Sequence, residues 1–334
     1  MATTSREIRL KSRPVGAPAL GDFELASQTL ADPGPGEALV RNLWMSVDPY
    51  MRGRMYDRES YVPPFQIGQP LQGGAVGEVV HSNDPALKPG DLVESMFGWR
   101  EAFAAPVAAL QKLPDVKAPP QAFLGVLGMP GLTAYSGLLN IGDPKPGETV
   151  FVSGGAGAVG SLVAQIAKIK GCTVVASVGS DAKAAWLKKR GVDHVVNYKT
   201  CGNLLEAVRA AVPKGVDVYF DNVGGEHLEV ALELARPFAR FAECGMIAQY
   251  NDTQPRPGPR NLIYVVGKSL KIQGFIVSNY WGQRAQFLAD MSAWIASGQV
   301  AWEETVEIGI ENAPQAFLNL FSGANTGKML VKLG

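Results

Sequence analysis

Three glycines, Gly155, Gly157 and Gly160, stand at the spacing G-x-G-x-x-G between a β-rich run at 149–152 and an apolar helical pattern. In that context one glycine permits a tight turn, the next lets the backbone approach a pyrophosphate, and the last lets helix and strand pack closely. The phosphates would lie at the helix N-terminus, where unpaired N–H groups and the helix dipole favour negative charge. Glycine clusters also form ordinary turns, but the order strand, turn and helix favours a dinucleotide site.

The residues after the second strand of such a unit select between NAD and NADP. A carboxylate there accepts a hydrogen bond from a ribose 2′-hydroxyl, whereas a cation accommodates a 2′-phosphate. The sequence offers both, because Asp181 and Lys183 lie in Val178-Gly-Ser-Asp-Ala-Lys183. Asp181 is either the ribose carboxylate or, with Ser180, a helix N-cap. Lys183 in a first helical turn opposes the helix dipole unless a phosphate binds there, which favours NADP.

The first domain carries no pattern of metal ligands. Between Leu43 and Pro106 there is no cysteine, and His81 is the only histidine. A catalytic zinc needs three protein ligands, so we expect no metal. His81, His194 and His227 are interpreted as surface or strand-end residues, and no G-x-S-x-G elbow supports a serine hydrolase. Chemistry that needs only a hydride donor and a hydrogen-bond donor remains open.

Composition restricts the remaining classes. The chain has 334 residues and a formal net charge of zero, so a general attraction to nucleic acid or to anionic membranes is not expected. No apolar run has membrane-spanning length, and no signal peptide is evident at residues 1–20. The three cysteines form no C-x-x-C pair, which favours reduced thiols and a cytoplasmic protein.

Apolar patterning predicts α/β architecture with two domains. Residues 1 to about 120 show short apolar runs between Pro-Gly clusters, which predicts a small barrel of antiparallel strands. Strands and helices then alternate, which predicts a doubly wound parallel sheet whose ligand crevice lies at the carboxyl ends of the strands. The predicted domains are 1–122, 123–297 and a return to the first domain over 298–334. The predicted elements are a helix pair over Ala122–Gly142 interrupted at Met129-Pro-Gly131, then Thr173–Val178, Lys183–Arg190, His194–Asn197, Leu204–Ala211, Val216–Asp221, His227–Leu234, Phe241–Ile247, Leu270–Phe275, Gln283–Ser297, Val306–Ile308, Pro314–Phe321 and Met329–Lys332.

Several segments together resemble one branch of the zinc-independent medium-chain dehydrogenase/reductase superfamily. This branch contains alkenal and one double-bond reductases, such as prostaglandin and leukotriene reductases, plant alkenal reductases and bacterial curcumin reductases. The resemblance implies a GroES-like β-barrel domain and a Rossmann-type domain. The matching segments are Met45-Ser-Val-Asp-Pro-Tyr-Met-Arg52, Gly128-Met-Pro-Gly-Leu-Thr-Ala-Tyr135, Ala156-Gly-Ala-Val-Gly160, Gly179-Ser-Asp181 with Lys183, Asn197-Tyr-Lys199, Asp221-Asn-Val-Gly-Gly225, Cys244-Gly-Met-Ile-Ala-Gln-Tyr250, Gln273-Gly-Phe275 and Asn325-Thr-Gly-Lys328.

The resemblance implies a set of NADP(H)-binding residues. Lys183 and Tyr198 would contact the 2′-phosphate, although turn chemistry is an alternative explanation for Tyr198 and Asn325. The glycines of the Asp221 and Cys244 segments would admit close approach of the cofactor. The implied set is Gly157, Ala158, Val159, Gly160, Lys183, Tyr198, Asn222, Cys244, Gly245, Met246, Ile247, Ala248, Gln249, Tyr250, Phe275, Ile276, Val277 and Asn325.

The same resemblance implies reduction of an α,β-unsaturated ketone or aldehyde. Hydride would reach the β-carbon and charge would collect on the carbonyl oxygen, which needs a hydrogen-bond donor. Tyr250 and Tyr50 are the catalytic candidates, with the nicotinamide ribose 2′-hydroxyl as an alternative donor; Tyr50, Met129 and Tyr264 are candidate substrate residues. Many relatives carry a tyrosine at the position of Gly267, and Tyr264, three residues earlier, is a possible substitute.

Three other functions are compatible with the same residues: a quinone reductase, an alcohol dehydrogenase on the same scaffold, and a non-catalytic NADPH-binding protein. Relatives are commonly homodimers, and the apolar run Lys271–Val277 is compatible with an edge strand that pairs with a second copy. The expected partners are therefore a small-molecule enone or enal and another copy of the chain, with no nucleic acid and no membrane.

Overall fold

Two sheets of different construction organise the chain. A computed structural model describes residues 3–334 and divides into two units. The first unit contains the residues up to Leu124, Glu304–Asn325 and Met329–Gly334, and the second contains Gly125–Glu303 and Thr326–Lys328. No helix within the described range is long and apolar enough to cross a membrane.

Strands and helices are numbered separately along the chain. The strands are β1 Thr3–Leu10, β2 Phe23–Leu30, β3 Glu37–Ser46, β4 Ala75–Ser82, β5 Leu92–Ser95, β6 Ala102–Pro106, β7 Gln111–Lys112, β8 Thr149–Val152, β9 Thr173–Val178, β10 His194–Asn197, β11 Val216–Asp221, β12 Ala235–Glu243, β13 Lys271–Gly274, β14 Glu304–Ile308 and β15 Lys328–Lys332. The helices are α1 Met51–Arg54, α2 Met129–Ser136, α3 Gly160–Ile169, α4 Asp181–Lys188, α5 Leu204–Ala211, α6 Glu226–Leu234, α7 Tyr264–Gly267, α8 Arg284–Ala296 and α9 Ala313–Ser322.

The first unit is built on antiparallel strands. Its larger sheet has the order β14-β15-β3-β4-β5-β7, with β6 also paired to β3, and β1 and β2 form a separate hairpin. Strand β15 pairs with β3, Leu330 opposite Ser46, so the C-terminal segment joins the sheet of the first unit. Stacked and edge-on contacts among Phe23, Trp99 and Phe317 form part of its core. The antiparallel sheet predicted for this part of the chain is confirmed.

The second unit contains a six-stranded parallel sheet with the order β10-β9-β8-β11-β12-β13. Its central strands β8, β9 and β11 are largely apolar and buried, as in Val150–Val152 and Val218–Phe220, because helices cover both faces of such a sheet. The strand order reverses between β8 and β11, and ligands of doubly wound sheets bind at this reversal, beyond the carboxyl ends of the strands. The predicted doubly wound parallel sheet is confirmed.

Two predicted elements differ from the structure by more than a few residues at their ends. The helix pair predicted over Ala122–Gly142 is instead a 3₁₀ turn at Pro120–Leu124 followed by α2, which continues as a π-type turn over Gly137–Gly142. Pro130 lies in the first turn of α2, where a missing N–H costs no intrahelical bond, so Met129-Pro-Gly131 begins a helix and does not interrupt one.

The strand predicted over Phe241–Ile247 is also displaced and runs over Ala235–Glu243. It ends early because the N–H groups of Cys244 and Gly245 both donate to the carbonyl oxygen of Asp221, at 2.9 and 3.1 Å, which turns the chain out of the sheet.

Candidate active site

The glycine-rich loop after β8 lies at the reversal point of the parallel sheet. A Cβ added to Gly155 would come within 2.6 Å of the Cβ of Ala176 on β9. A Cβ added to Gly160, the first residue of α3, would come within 2.4 Å of the carbonyl oxygen of Gly154. Both glycines are therefore required by close packing of strand, loop and helix. Val159, the N-cap of α3, makes no side-chain hydrogen bond to the first turn of the helix. The helix start is therefore suited to binding a pyrophosphate through its backbone N–H groups.

A turn near the C-terminus supports this loop. Gly327 donates its N–H to the carbonyl oxygen of Ala156 at 2.8 Å and forms a bridge with Gly157. Gly327 has φ +66°, and a Cβ there would lie 1.9 Å from the carbonyl oxygen of Glu303. Asn325 was the predicted site residue of this segment, and Gly327 was not predicted, although the matching stretch Asn325-Thr-Gly-Lys328 contains it. Asn325 itself belongs to the first unit.

The structure distinguishes the two interpretations of the β9–α4 turn. Ser180 is the N-cap of α4, and its Oγ accepts from the N–H of Lys183 at 3.3 Å. The carboxylate of Asp181 accepts from Nδ2 of Asn197 at 2.7 Å. Ser180, and not Asp181, is therefore the N-cap of α4. The Asp181 carboxylate is instead hydrogen-bonded to Asn197 on the neighbouring strand.

A cationic pocket lies next to this turn. Partial burial lowers the pKa of Lys183, and the nearby charge of Lys199 lowers it further. A Cβ added to Gly179 would meet the Tyr198 hydroxyl at 2.8 Å and Cε of Lys199 at 3.4 Å, so these two side chains lie against Gly179 at the turn that leads to Lys183. Two ammonium groups near enough to influence each other fit a phosphate. Lys199 and Ser180 were missed as site residues because turn residues give no periodic signal.

The turns that follow β11 and β12 form the opposite part of the crevice. Asn222 donates from its backbone N–H to Ser153 Oγ and from Nδ2 to the Ser153 carbonyl oxygen, both at 2.8 Å. The N–H of Ala248 donates to the carbonyl oxygen of Val223 at 3.1 Å. The predicted segment Cys244–Tyr250 is thus bound to the Asn222 turn. Burial raises the pKa of the Cys244 thiol to about 12, so this thiol stays protonated at neutral pH.

Tyr250 closes the turn that begins at Cys244. Its hydroxyl oxygen accepts from the N–H of Met246 at 3.4 Å, and a Cβ added to Gly245 would lie 2.9 Å from that oxygen. Gly245 therefore leaves space for the phenol at the carboxyl edge of the sheet. A phenol that accepts a hydrogen bond becomes a better donor, because hydrogen bonds in a chain polarise one another.

The remaining predicted residues of the second unit occupy two regions. The ring of Phe275, which precedes Ile276 and Val277, packs edge-on against Phe220, and a Cβ on Gly137 would meet it at 2.4 Å. Met129 begins α2, where Thr133 Oγ1 donates to its carbonyl oxygen at 2.7 Å.

Tyr264 has surroundings of another kind. Its interaction with Glu233 at the end of α6 raises the pKa of the phenol, and Nζ of Lys268 lies 4.4 Å from its ring centroid. Lys268 in turn donates to the carbonyl oxygens of Leu232 and Glu233. These contacts lie where β12 begins, whereas Cys244 and Tyr250 follow its other end. The Cβ of a residue at position 267 would point into open space, so Tyr264 and Gly267 have different environments.

Tyr50 belongs to the first unit and directly precedes α1. Burial raises the pKa of its phenol, and the nearby carboxylate of Asp48 raises it further, while the guanidinium of Arg54 acts in the opposite sense. Arg54 also donates to the carbonyl oxygen of Pro63 and to Gln72 Oε1, at 2.9 and 2.8 Å. Tyr50 is therefore a neutral phenol at physiological pH and a potential hydrogen-bond donor.

Two family models match the chain. Residues 6–113 match the N-terminal domain of oxidoreductases, and residues 158–297 match a domain described as a zinc-binding dehydrogenase. Within residues 3–334, no group of three or more His, Cys, Asp or Glu residues is placed to hold a metal ion, so the side chains do not fit a zinc site.

Similar proteins cover the whole chain. A putative NADP-dependent oxidoreductase, YfmJ, of Bacillus subtilis is 46% identical over 100% of this chain and 99% of its own length. An NADP-dependent 2-alkenal reductase of Nicotiana tabacum is 41% identical over 98% of this chain and 97% of its own. The crystal structure of CurA from Vibrio vulnificus in complex with NADPH is 40% identical, has a TM-score of 0.94 and covers 98% of this chain and 99% of its own.

Proposed function

Because the chain belongs to the alkenal and one double-bond reductase branch of the zinc-independent medium-chain dehydrogenases and reductases, we propose that it reduces the C=C bond of α,β-unsaturated ketones and aldehydes with NADPH. One observation carries the proposal. The glycine-rich loop, the two-lysine pocket and the Asn222 and Tyr250 turns meet along one edge of the parallel sheet, at its reversal point.

The residues of the second unit bind the cofactor in distinct ways. Backbone groups of Gly157–Gly160 would hold the pyrophosphate, and Lys183, Tyr198 and Lys199 would hold the 2′-phosphate. The Asn222 turn, the Cys244–Tyr250 turn and Phe275–Val277 would bound the rest of the cofactor. Bound NADPH supplies the hydride that the β-carbon of the substrate receives.

Tyr250 is proposed to stabilise the charge that develops on the substrate. As hydride reaches the β-carbon, the carbonyl oxygen acquires enolate character and needs a hydrogen bond that strengthens in the transition state. The Tyr250 phenol, polarised by the N–H of Met246, is suited to that role. The α-carbon then takes a proton, for which a phenol or the ribose 2′-hydroxyl is a candidate donor.

Tyr50 and Met129 are proposed as substrate-binding residues. The raised pKa of Tyr50 keeps it neutral and able to donate a hydrogen bond over the whole physiological range. Tyr264 carries no proposal of this kind, because it lies beside Glu233 and Lys268 near the start of β12, whereas the Cys244–Tyr250 turn follows the other end of that strand.

An acceptor screen tests the reaction. The purified chain, with NADPH, is offered enones and enals of graded size, a quinone, and, in the reverse direction, an alcohol with NADP⁺. We expect NADPH oxidation with enones and recovery of the saturated ketone. Turnover restricted to the quinone or the alcohol would favour one of the alternative reactions, and tight NADPH binding without any turnover would favour a non-catalytic protein.

We also propose that the protein is a cytoplasmic homodimer in which β13 pairs with its copy. Strand β13 is the edge of the parallel sheet. Beside it, Phe238 donates its N–H to the carbonyl oxygen of Lys268, and the side chains of Phe238, Ile263 and Val266 are 73%, 71% and 77% exposed. Apolar side chains next to an unpaired edge support association. Sedimentation at micromolar concentration is expected to give twice the chain mass, and a single-chain mass would contradict the dimer.

A further inference from the structure

Two carboxyl groups end neighbouring parallel strands beneath the crevice. Asp221 is the last residue of β11 and Glu243 the last of β12, and they are register partners. Asp221 is completely buried and Glu243 is largely so. Paired residues of neighbouring strands place their side chains on the same face of a sheet, so the two carboxyl groups are neighbours. Such a pair is unfavourable if both carry a charge, because like charges in a region of low dielectric repel strongly.

The two carboxyl groups of this pair differ in their other contacts. Asp221 Oδ1 accepts from Ser153 Oγ at 2.7 Å, from the Tyr219 hydroxyl at 2.8 Å and from the N–H groups of Val223 and Gly224 at 2.9 Å. That oxygen is therefore a strong acceptor and belongs to an ionised group. By contrast, Asp221 Oδ2 and both carboxyl oxygens of Glu243 are buried without a hydrogen-bond donor.

We propose that Glu243 is a positioning residue whose protonated carboxyl group donates a hydrogen bond to Asp221 Oδ2. One proton on Glu243 supplies the missing donor for Asp221 and removes the second charge. A buried acceptor without a donor is destabilising, so the shared proton is the favourable state.

The shared proton connects the two turns that bound the cofactor. Asp221 holds the Val223 and Gly224 amides through its carboxylate and the Cys244 and Gly245 amides through its carbonyl oxygen. Glu243 directly precedes Cys244. Loss of the proton would place two charges where these turns meet, so we infer that it would loosen both turns and weaken cofactor binding. The inference rests on the proposed placement of NADPH but not on the identity of the substrate.

The titratable groups around the pair favour the protonated state. Tyr219 on β11 and Cys244, directly after β12, both have their pKa raised by burial and by the charge of Asp221. His227 on α6 faces Asp221, and burial lowers its pKa. None of these groups is a cation at neutral pH. Burial and the charge of Asp221 raise the pKa of Glu243 to about 9, in agreement with the hydrogen-bonding pattern.

Cofactor titration across pH tests the proposal. Dissociation constants for NADPH and NADH are measured from pH 7 to 10 in the wild type, in Glu243→Gln and in the control Glu226→Gln, a carboxylate at the start of α6. Glutamine keeps a donor and cannot ionise. We expect wild type and control to lose about tenfold in affinity for both cofactors above pH 9, and Glu243→Gln to lose much less.

NADH separates this effect from that of the lysine pocket. Deprotonation of Lys183 would weaken only NADPH, because only NADPH carries the 2′-phosphate, whereas ionisation of Glu243 would weaken both cofactors. The same pH dependence in Glu243→Gln as in the wild type would overturn the proposal, as would a large loss of affinity in Glu243→Gln at pH 7.

Two further measurements detect the proton on Glu243 and do not depend on enone turnover. Infrared spectra of the wild type should show a protonated carboxylic acid at pH 7 that disappears above pH 9 and is missing from Glu243→Gln. In urea, the wild type should lose stability relative to Glu243→Gln as pH rises from about 4.5 to about 9, because the folded state retains a proton that the unfolded state releases. Absence of the acid band at pH 7, or parallel stability curves, would refute the shared proton.

Discussion

Asn222 and Ser153 are joined by two hydrogen bonds of 2.8 Å, one from the backbone N–H of Asn222 and one from its side-chain Nδ2. Nδ2 faces the Ser153 carbonyl oxygen, so the orientation of the amide is fixed by the protein itself. These bonds connect the ends of β8 and β11, the two strands at which the sheet order reverses. Asn222 therefore joins the two strand ends at the reversal point of the sheet.

Asn222→Asp should disturb this connection with almost no change in volume. A carboxylate oxygen would face the Ser153 carbonyl oxygen, and a buried acceptor would lose its donor, which costs about 1–3 kcal/mol. We expect the dissociation constant for NADPH to rise about tenfold, as measured by fluorescence titration. Asn203→Asp is the matched control, because aspartate caps α5 as well as asparagine does, and it should bind NADPH normally.

Lys183→Ala should reduce the preference for NADPH over NADH. A charge-assisted hydrogen bond is worth about 1.5–3 kcal/mol, so we expect kcat/KM with NADPH to fall roughly 10- to 100-fold while the value with NADH hardly changes. Lys188→Ala, which removes an exposed lysine from the last turn of the same helix, is the control. An unchanged cofactor preference in Lys183→Ala would remove this lysine from the site.

The lysine pocket also predicts a pH dependence. Because burial and Lys199 lower the pKa of Lys183, this side chain loses its proton at a lower pH than an ordinary lysine. The NADPH preference should therefore be greatest when Lys183 is protonated and should decline as pH rises towards 10. Initial rates with both cofactors across this range give the ratio directly, and a ratio that stays flat in the wild type would argue against the assignment.

Tyr250→Phe tests the proposed hydrogen bond to the substrate oxygen. Removal of one preorganised donor to a developing oxyanion lowers kcat by roughly 100-fold. We expect a loss of this order with an enone and little change in the dissociation constant for NADPH. Tyr135→Phe removes a hydroxyl that donates to Asp290 at 2.6 Å and should keep normal kcat. If Tyr250→Phe turned over at the wild-type rate, Tyr250 would be only a wall of the crevice.

Gly327→Ala tests the support of the glycine-rich loop. Its new Cβ would lie 1.9 Å from the Glu303 carbonyl oxygen, so the turn must move and the N–H bond to Ala156 should be lost. We expect a loss of about 3 kcal/mol in unfolding free energy and weaker NADPH binding. Gly298→Ala has a similar φ of +73° but open space around the Cβ, and should cost only about 1–2 kcal/mol. If both variants lost the same unfolding free energy, the contact between the new Cβ and the Glu303 carbonyl oxygen would not be the cause of the loss in Gly327→Ala.

Local pattern was sufficient to define much of the second unit. The bounds predicted for Thr173–Val178, His194–Asn197, Leu204–Ala211 and Val216–Asp221 agree with the structure, because continuous apolar runs and amphipathic spacing are local properties of buried strands and covering helices. The helix pair predicted over Ala122–Gly142, with its break at Met129-Pro-Gly131, and the strand predicted from Phe241 were placed wrongly. The start of the helix was decided by Pro130, which fits the first turn of α2. The end of the strand was decided by the backbone hydrogen bonds from Cys244 and Gly245 to Asp221.

The sequence by itself determined the cofactor loop, the cofactor class and the family, because glycine spacing, lysine placement and motif order are written along the chain. Only the tertiary structure decided which residues meet across strands: Gly327 with Ala156, Lys199 with Lys183, and Glu243 with Asp221. These partners are far apart or inconspicuous in the sequence. Their chemistry arises from the register of parallel strands and from burial, which bring charges and hydrogen-bonding groups together at distances that spacing alone does not encode.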